Sequence, residues 1–333
     1  MASLLTITGS PMAGNPVNAN VTADSPAGDI TFHQLKFKVT SRRWNGTDKE
    51  YTFTKPVTNG QRVEVDICTA LQAAYADYEY TAEPPESYPC IVYSVAVRDE
   101  YVLNGETHNS TWTELTGQYA LMGEFSDMER LLSGGSKSPT RLTRKPTTSP
   151  EVVGVGETHI RPANYTSASA GQVIQQTAID DEGLQTVNGV QVYAVVATRD
   201  RYQLRFINSL GAMESLSVCT LRKTETGIKT DQQVIARHET FGSFSRGVVY
   251  KQDDHEVWKM SSGPLDEAWQ SWFVHEFLMT EHCWIKVGAN WLPVHVLPDE
   301  TVSGLDRQNA SLLEVNFSLQ FDIAGSVMSA LAI

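Results

Sequence analysis

The chain has 333 residues, 41% apolar and 20% charged, which is enough for two cores of ordinary size and excludes wholesale disorder. A formal charge of −13 excludes a general nucleic-acid binder, whose surface must neutralise phosphates with Lys and Arg. No stretch is apolar enough to span a bilayer, and the opening "MASLLTITGSPMAGNP" lacks the basic and long apolar regions of a secretion signal, so folding in the cytoplasm is expected.

Alternating apolar and polar residues predict strands at 35–39 ("LKFKV"), 51–54 ("YTFT") and 62–67 ("RVEVDI"). The period then changes. Ile67, Leu71 and Tyr75 fall on one helical face behind Asp66 as N-cap, predicting a short helix near 66–77. Further on, "VYSVAVRDEYVL" (92–103) resembles "VYAVVATRDRYQL" (192–204), and "GETH" occurs at 105–108 and at 156–159. Two related strand pairs would explain the echo, as would chance similarity between β-rich segments.

The stretch 131–150, "LLSGGSKSPTRLTRKPTTSP", combines Gly, Ser, Thr and Pro with the basic residues Lys137, Arg141, Arg144 and Lys145 and reads as a linker or exposed arm. It divides a β domain over 1–130 from a second over 151–333. Near the C-terminus "SSGPLDEAWQSWFVHEFL" predicts a helix near 264–280, capped by Ser262 or Gly263 with Pro264 in the first turn. Leu265, Trp269, Trp272, Phe273 and Phe277 form its aromatic stripe. "HCWIKVGANWLPVHV" reads as a hairpin about a Gly288-Ala289-Asn290 turn, its surface shaped by Trp284, Trp291 and Pro293. In "LEVNFSLQFDI" (313–323), Val315, Phe317, Leu319 and Phe321 face one way. The fold class expected is mainly β, with antiparallel sandwich or open-barrel domains and one or two short helices.

Chemical motifs are weak throughout. His275 and His282 are seven apart and would share a helical face only if the helix continued through the predicted hairpin, so no zinc site is expected. "GSFSRG" (242–247) has Ser243 where a nucleophile elbow needs Gly, and "GVGETH" (154–159) lacks the third glycine of a dinucleotide fingerprint. "DDEG" (180–183) and "DDHE" (253–256) lack calcium-loop spacing and read as solvated turns. Cys68, Cys90, Cys219 and Cys283 are scattered singly and are expected as reduced thiols, and the sequons at Asn45 and Asn164 carry no weight without a secretion signal. No catalytic, cofactor or metal residues are assigned.

Four stretches together, "VEVDICTALQAAY" (63–75), "RYQLRFINSLGAMESLSV" (201–218), "CWIKVGANWLPVHVLPD" (283–299) and "LLEVNFSLQFD" (312–322), resemble elements of tail-associated structural proteins of Bacteroidota phages and prophages. The resemblance covers about two-thirds of the chain by pattern, through short motifs of low specificity. It implies a non-enzymatic virion protein similar to distal-tail or baseplate subunits, assembled in the host cytoplasm. Its partners would be itself, in a ring that is six-fold by analogy, and other tail proteins, without nucleic acid or direct membrane insertion. No cofactor is implied.

The aromatic area of the C-terminal third exceeds what one sheet face covers, which suggests an acidic-rimmed patch meeting the basic arm of a neighbour. The candidate subunit interface is therefore Lys137, Arg141, Arg144 and Lys145 with Trp269, Trp272, Trp284 and Trp291. Two rival readings stand beside this one. A carbohydrate- or receptor-binding module would use exposed rings such as Trp44, and a tail-associated hydrolase would need paired carboxylates in a cleft.

Overall fold

The computed structural model of the chain describes residues 3–9, 12–42, 48–75, 84, 90–132, 142–162, 175–196, 198–239, 242–298 and 313–321. These are mainly antiparallel sheets with few short helices. The N-terminal lobe contains β1 (Ser3–Gly9), β2 (Val17–Thr22), β3 (Ile30–Arg42), β4 (Asp48–Pro56), β5 (Arg62–Asp66), α1 (Cys68–Tyr75), β6 (Cys90–Leu103), β7 (Glu106–Asn109) and β8 (Thr113–Leu121). One sheet has the order β1-β2-β5. The other runs β4-β3-β6-β7, with β8 also on β6. Their inner faces meet in an apolar core that includes Val17, Val21, Leu35, Phe37, Val39, Ile91 and Val95.

At one end of this lobe a buried His33 approaches Asp99 Oδ1 at 2.9 Å and Asn59 Oδ1 at 3.1 Å, while the Asp24 amide donates to the same Asp99 oxygen at 2.9 Å. The turns are thereby tied to the sheet. Asn104 has φ 52° and leads the two-residue loop joining Leu103 to Glu106, and Asn188, with φ 49°, does the same between Val187 and Val190. Both are Asn-Gly turns whose left-handed backbone matches strand twist.

After α2 (Asp127–Leu132) come β9 (Glu151–Gly154), β10 (Thr158–Arg161), β11 (Gln175–Ala178), β12 (Gly183–Val187) and β13 (Val190–Val195). They make a three-stranded sheet, β12-β13-β9, and a β10-β11 pair. The C-terminal lobe follows with β14 (Arg201–Ile207), β15 (Met213–Glu239), β16 (Gly242–Leu265), α3 (Glu267–Trp272), β17 (Cys283–Val287), β18 (Asn290–Pro298) and β19 (Leu313–Phe321). Its strands close a barrel in the order β14-β15-β16-β19-β18-β17. Closure buries Val315, Phe317, Leu319 and Phe321 on one face of β19.

The C-terminal helix is shorter than its stripe suggests. Pro264 and Leu265 still pair with β19, and Asp266 is the N-cap, its carboxylate accepting from the Trp269 amide at 2.9 Å. From Phe273 to Phe277 the helix widens to a π turn, closed by Leu278 N donating to Phe273 O at 2.9 Å. Phe273, Glu276 and Phe277 are all buried. The rings of Phe277, Phe273, Phe206 and Phe317 pack at 4.8–5.6 Å between centroids, a ring cluster at the heart of the barrel core.

The following hairpin turns on Gly288-Ala289 alone, because Asn290 already pairs with Val287. The sequence echo divides as well: 92–103 lies in one strand, whereas 192–204 runs from β13 through a turn into β14. Of the two acidic motifs, Asp181 and Glu182 are exposed, but 253–256 lies within β16, where Glu256 is buried and accepts from Trp258 Nε1 at 2.6 Å.

The lobes meet in a third core of Met12, Leu121, Phe125, Leu142, Ile160, Ile207, Leu210, Ala212, Met213 and Trp284. At its edge the Glu124 amide donates to Ser209 O at 2.8 Å. Gly123 lies so close that a Cβ there would come within 2.2 Å of Ser209 O, and one on Gly211, at φ +75°, would come within 2.6 Å of Gly123 N. Only two glycines allow this backbone contact.

Candidate assembly element and buried polar junction

β15 and β16 extend well past the barrel. Within it, β15 pairs with β14 through Met213–Cys219, and β16 pairs with β19 through Val257–Leu265. Beyond those limits, from Thr226↔Glu256 to Glu239↔Gly242, the two strands have only each other among the described residues. At about 3.3 Å per residue this ribbon is about 45 Å long. Register shifts at 220–223, by the barrel rim, and at 231–232 mark bulges of the kind that bend and twist a strand pair. The sequence from 221 to 255 holds six basic and five acidic residues, so it is nearly neutral in a chain of charge −13. It carried no motif, and "GSFSRG" lies within its return strand.

The arm expected to reach a neighbouring subunit is used within its own subunit over its described part. Leu142 is buried in the core between the lobes. Arg144 bridges α2 and the π turn, with Nη2 at 2.5 Å from Glu129 Oε2 and Nη1 at 2.5 Å from Glu276 Oε1. Arg144 Nη1 also donates to Ser209 Oγ, and Glu276 accepts from the Ser209 amide at 3.1 Å. Lys145 donates to Glu151 Oε1 at 2.6 Å and to Ser215 O, with its ammonium 5.3 Å from the centre of the Trp272 ring. His159 Nε2 lies 3.2 Å from the other Glu151 oxygen. Ser149 Oγ donates to Asp266, and Ser149 O accepts from Trp269 Nε1 at 3.4 Å. Residues 142–151 are thus strapped across the barrel and its helix. Lys137 and Arg141 lie outside the described residues.

The tryptophans proposed for the interface are also largely internal. Trp269, Trp272 and Trp284 are buried, because barrel closure and the junction core cover more aromatic area than the single sheet face assumed from sequence. Trp291 is half-buried, with the Arg205 guanidinium 4.4 Å from its ring centre. Trp112 is exposed beside Arg98, while Trp44 lies outside the described residues.

Electrostatics at the junction follow from burial against pairing. Burial pushes the Glu151 carboxyl up, but Lys145 and His159 outweigh it and hold the group below the ordinary carboxylate range. Glu129 behaves likewise, with burial opposed by Arg144 and Ser126. Glu214 goes the other way. Fully buried and accepting from Asn208 Nδ2 at 2.6 Å, it is pushed up to about 7. Burial also pushes the Cys283 thiol up; Cys68 and Cys219 are free thiols too.

A groove of about 560 Å³ separates the lobes, lined in part by Glu124, His275, Glu276, Glu281 and His282. Glu276 is held there by Arg144 and Ser209. Among the described residues no group of three His, Cys, Asp or Glu is placed to hold a metal ion, and no helix is long and apolar enough to cross a membrane. No protein-family model matches the chain, and no curated protein matches it.

Proposed function

We propose that the chain is a structural virion protein of a tailed phage, a subunit of the tail tip, baseplate or a related ring built by self-assembly, with the β15–β16 ribbon as its assembly element. The carrying observation is the ribbon itself, which over about 45 Å has no third strand among the described residues. A two-stranded ribbon is marginal in water and gains stability when a further strand or surface covers it. A second copy is the occupant this reading favours, since the ribbon is nearly neutral while the remaining residues carry the excess acid, and its approach to another copy meets less repulsion than the chain's average surface would. The virion role and the six-fold ring symmetry rest on the resemblance.

The test replaces residues 228–254 with Asn-Gly, which joins the paired residues Gly227 and His255 through a two-residue turn. Negative-stain microscopy and light scattering should find rings for the full chain and folded monomers for the shortened one. Rings from the shortened chain would remove the ribbon from assembly. A full chain that stays monomeric at high concentration and is absent from purified particles would overturn the reading as a whole.

A further inference from the structure

Four carboxyl groups, those of Glu129, Glu151, Glu214 and Glu276, surround two cations that are neighbours in the chain, Arg144 and Lys145. Three form direct ion pairs: Glu129 and Glu276 with Arg144, and Glu151 with Lys145. Glu214 is the surplus member. It sits at the start of β15, wholly buried, beside the Asn208 amide, which also donates to Leu142 O at 2.8 Å and so links Glu214 to the strap. The charged groups facing it are Lys145 from the strap and Glu276 from the π turn, backed by Arg144 on Glu276, by Glu151 on Lys145 and by His159 on Glu151.

We propose that residues 142–151 form a proton-gated strap, held against the barrel while Glu214 is protonated and loosened when Glu214 ionises, because its charge is buried beside Glu276 and reaches water only when the strap lifts. With Glu214 neutral the cluster has three anions against two fixed cations; with it ionised a fourth anion enters a site closed to water. The direction of titration agrees. Burial raises the Glu214 carboxyl to about 7, Lys145, Thr143 and Asn208 pull against that rise, and Glu276 adds to it. A carboxyl raised in the closed form stabilises that form below its ordinary pKa of 4.5, and this stabilisation is lost as pH rises through about 7. Opening therefore grows with alkalinity, and it would uncover Leu142 and the junction core. This device is independent of the assembly reading and concerns the single subunit.

Hydrogen exchange read by mass spectrometry, corrected for intrinsic rates, tests it on the whole chain. For a group moving between 4.5 and about 7, the opening equilibrium at 142–155 should rise about tenfold between about pH 6 and pH 8.5. In Glu214→Gln, which keeps an acceptor for Asn208, that rise should vanish while β2 and β6 exchange as before. Equal pH dependence in both proteins overturns the proposal. Should the variant fail to fold, carbon-13 glutamate spectra of the wild-type chain decide. One carboxyl must titrate near pH 7 in step with the loss of protection, and if all titrate at ordinary values the strap is not gated by Glu214.

Discussion

Where β15 and β16 leave the barrel, the same two strands pass from a closed wall of six to a ribbon of two, and the forces that hold them change with the surroundings. At the base, β14 and β19 flank the pair and an aromatic core fills the enclosed space. Further out, among the described residues, the two strands pair with no other, so the base should set the stability of the subunit and the outer half its associations. A single hairpin can thus serve both needs, provided that its bulges release the ribbon from the curvature of the barrel.

The largest effect should come from the base. Phe277→Ala removes a ring with 0% exposure that packs on Phe206, Phe273 and Phe317, and should cost about 3–5 kcal/mol in denaturant unfolding. A loss under about 1 kcal/mol would mean that the barrel core is not what anchors the hairpin.

Next comes the strap over the base. Arg144→Ala leaves Glu276 buried without its cation and should cost on the order of 3 kcal/mol. The pH profile sharpens this point. Glu129 and Glu151 titrate below their ordinary values in the folded chain, so their stabilisation is present above about 4.5 and fades as pH falls through the lowered values. Lys145→Met should flatten the acid limb through Glu151, and an unchanged limb would mean that this pair contributes nothing.

Smaller still, Asp266→Ala deletes the cap that accepts from Trp269 N, for about 1 kcal/mol by calorimetry. Last is the ribbon. Shortening it by 228–254 should change subunit stability by under about 1 kcal/mol, since nothing described outside the hairpin pairs with that half. A large loss there would erase the contrast between base and ribbon.

How far the sequence could be read depended on whether the cause was local. Alternation at 313–321 reports a strand with one buried face, and the change of period at Asp66 reports the turn into α1, where Asp66 Oδ1 accepts from Cys68 N at 2.9 Å. The Asn-Gly pairs at 104–105 and 188–189 were equally local signals, available but unused. The strap was opaque for the opposite reason. Arg144 lies in a Gly, Ser and Pro stretch that reads as solvated, yet its partner Glu276 is 132 residues away, and no pattern within 131–150 announces it. The Trp residues misled because their number suggested an excess of aromatic area, while closure of the barrel, a property of six strands together, buries Trp269 and Trp272 and the core between the lobes takes Trp284. The ribbon left little trace since alternation records half-burial against a sheet face, and 221–255 carries no such regular alternation.

The contact between Gly123 and Gly211 also governs how the two lobes can diverge in evolution. Because peptide planes rather than side chains set their spacing there, no ordinary substitution of either glycine can adjust the tilt of one lobe on the other by small steps. At these two positions any added carbon wedges the junction apart. At this one contact the spacing of sandwich and barrel is therefore fixed by backbone, and gradual change in their relative pose is left to the side chains of the surrounding core.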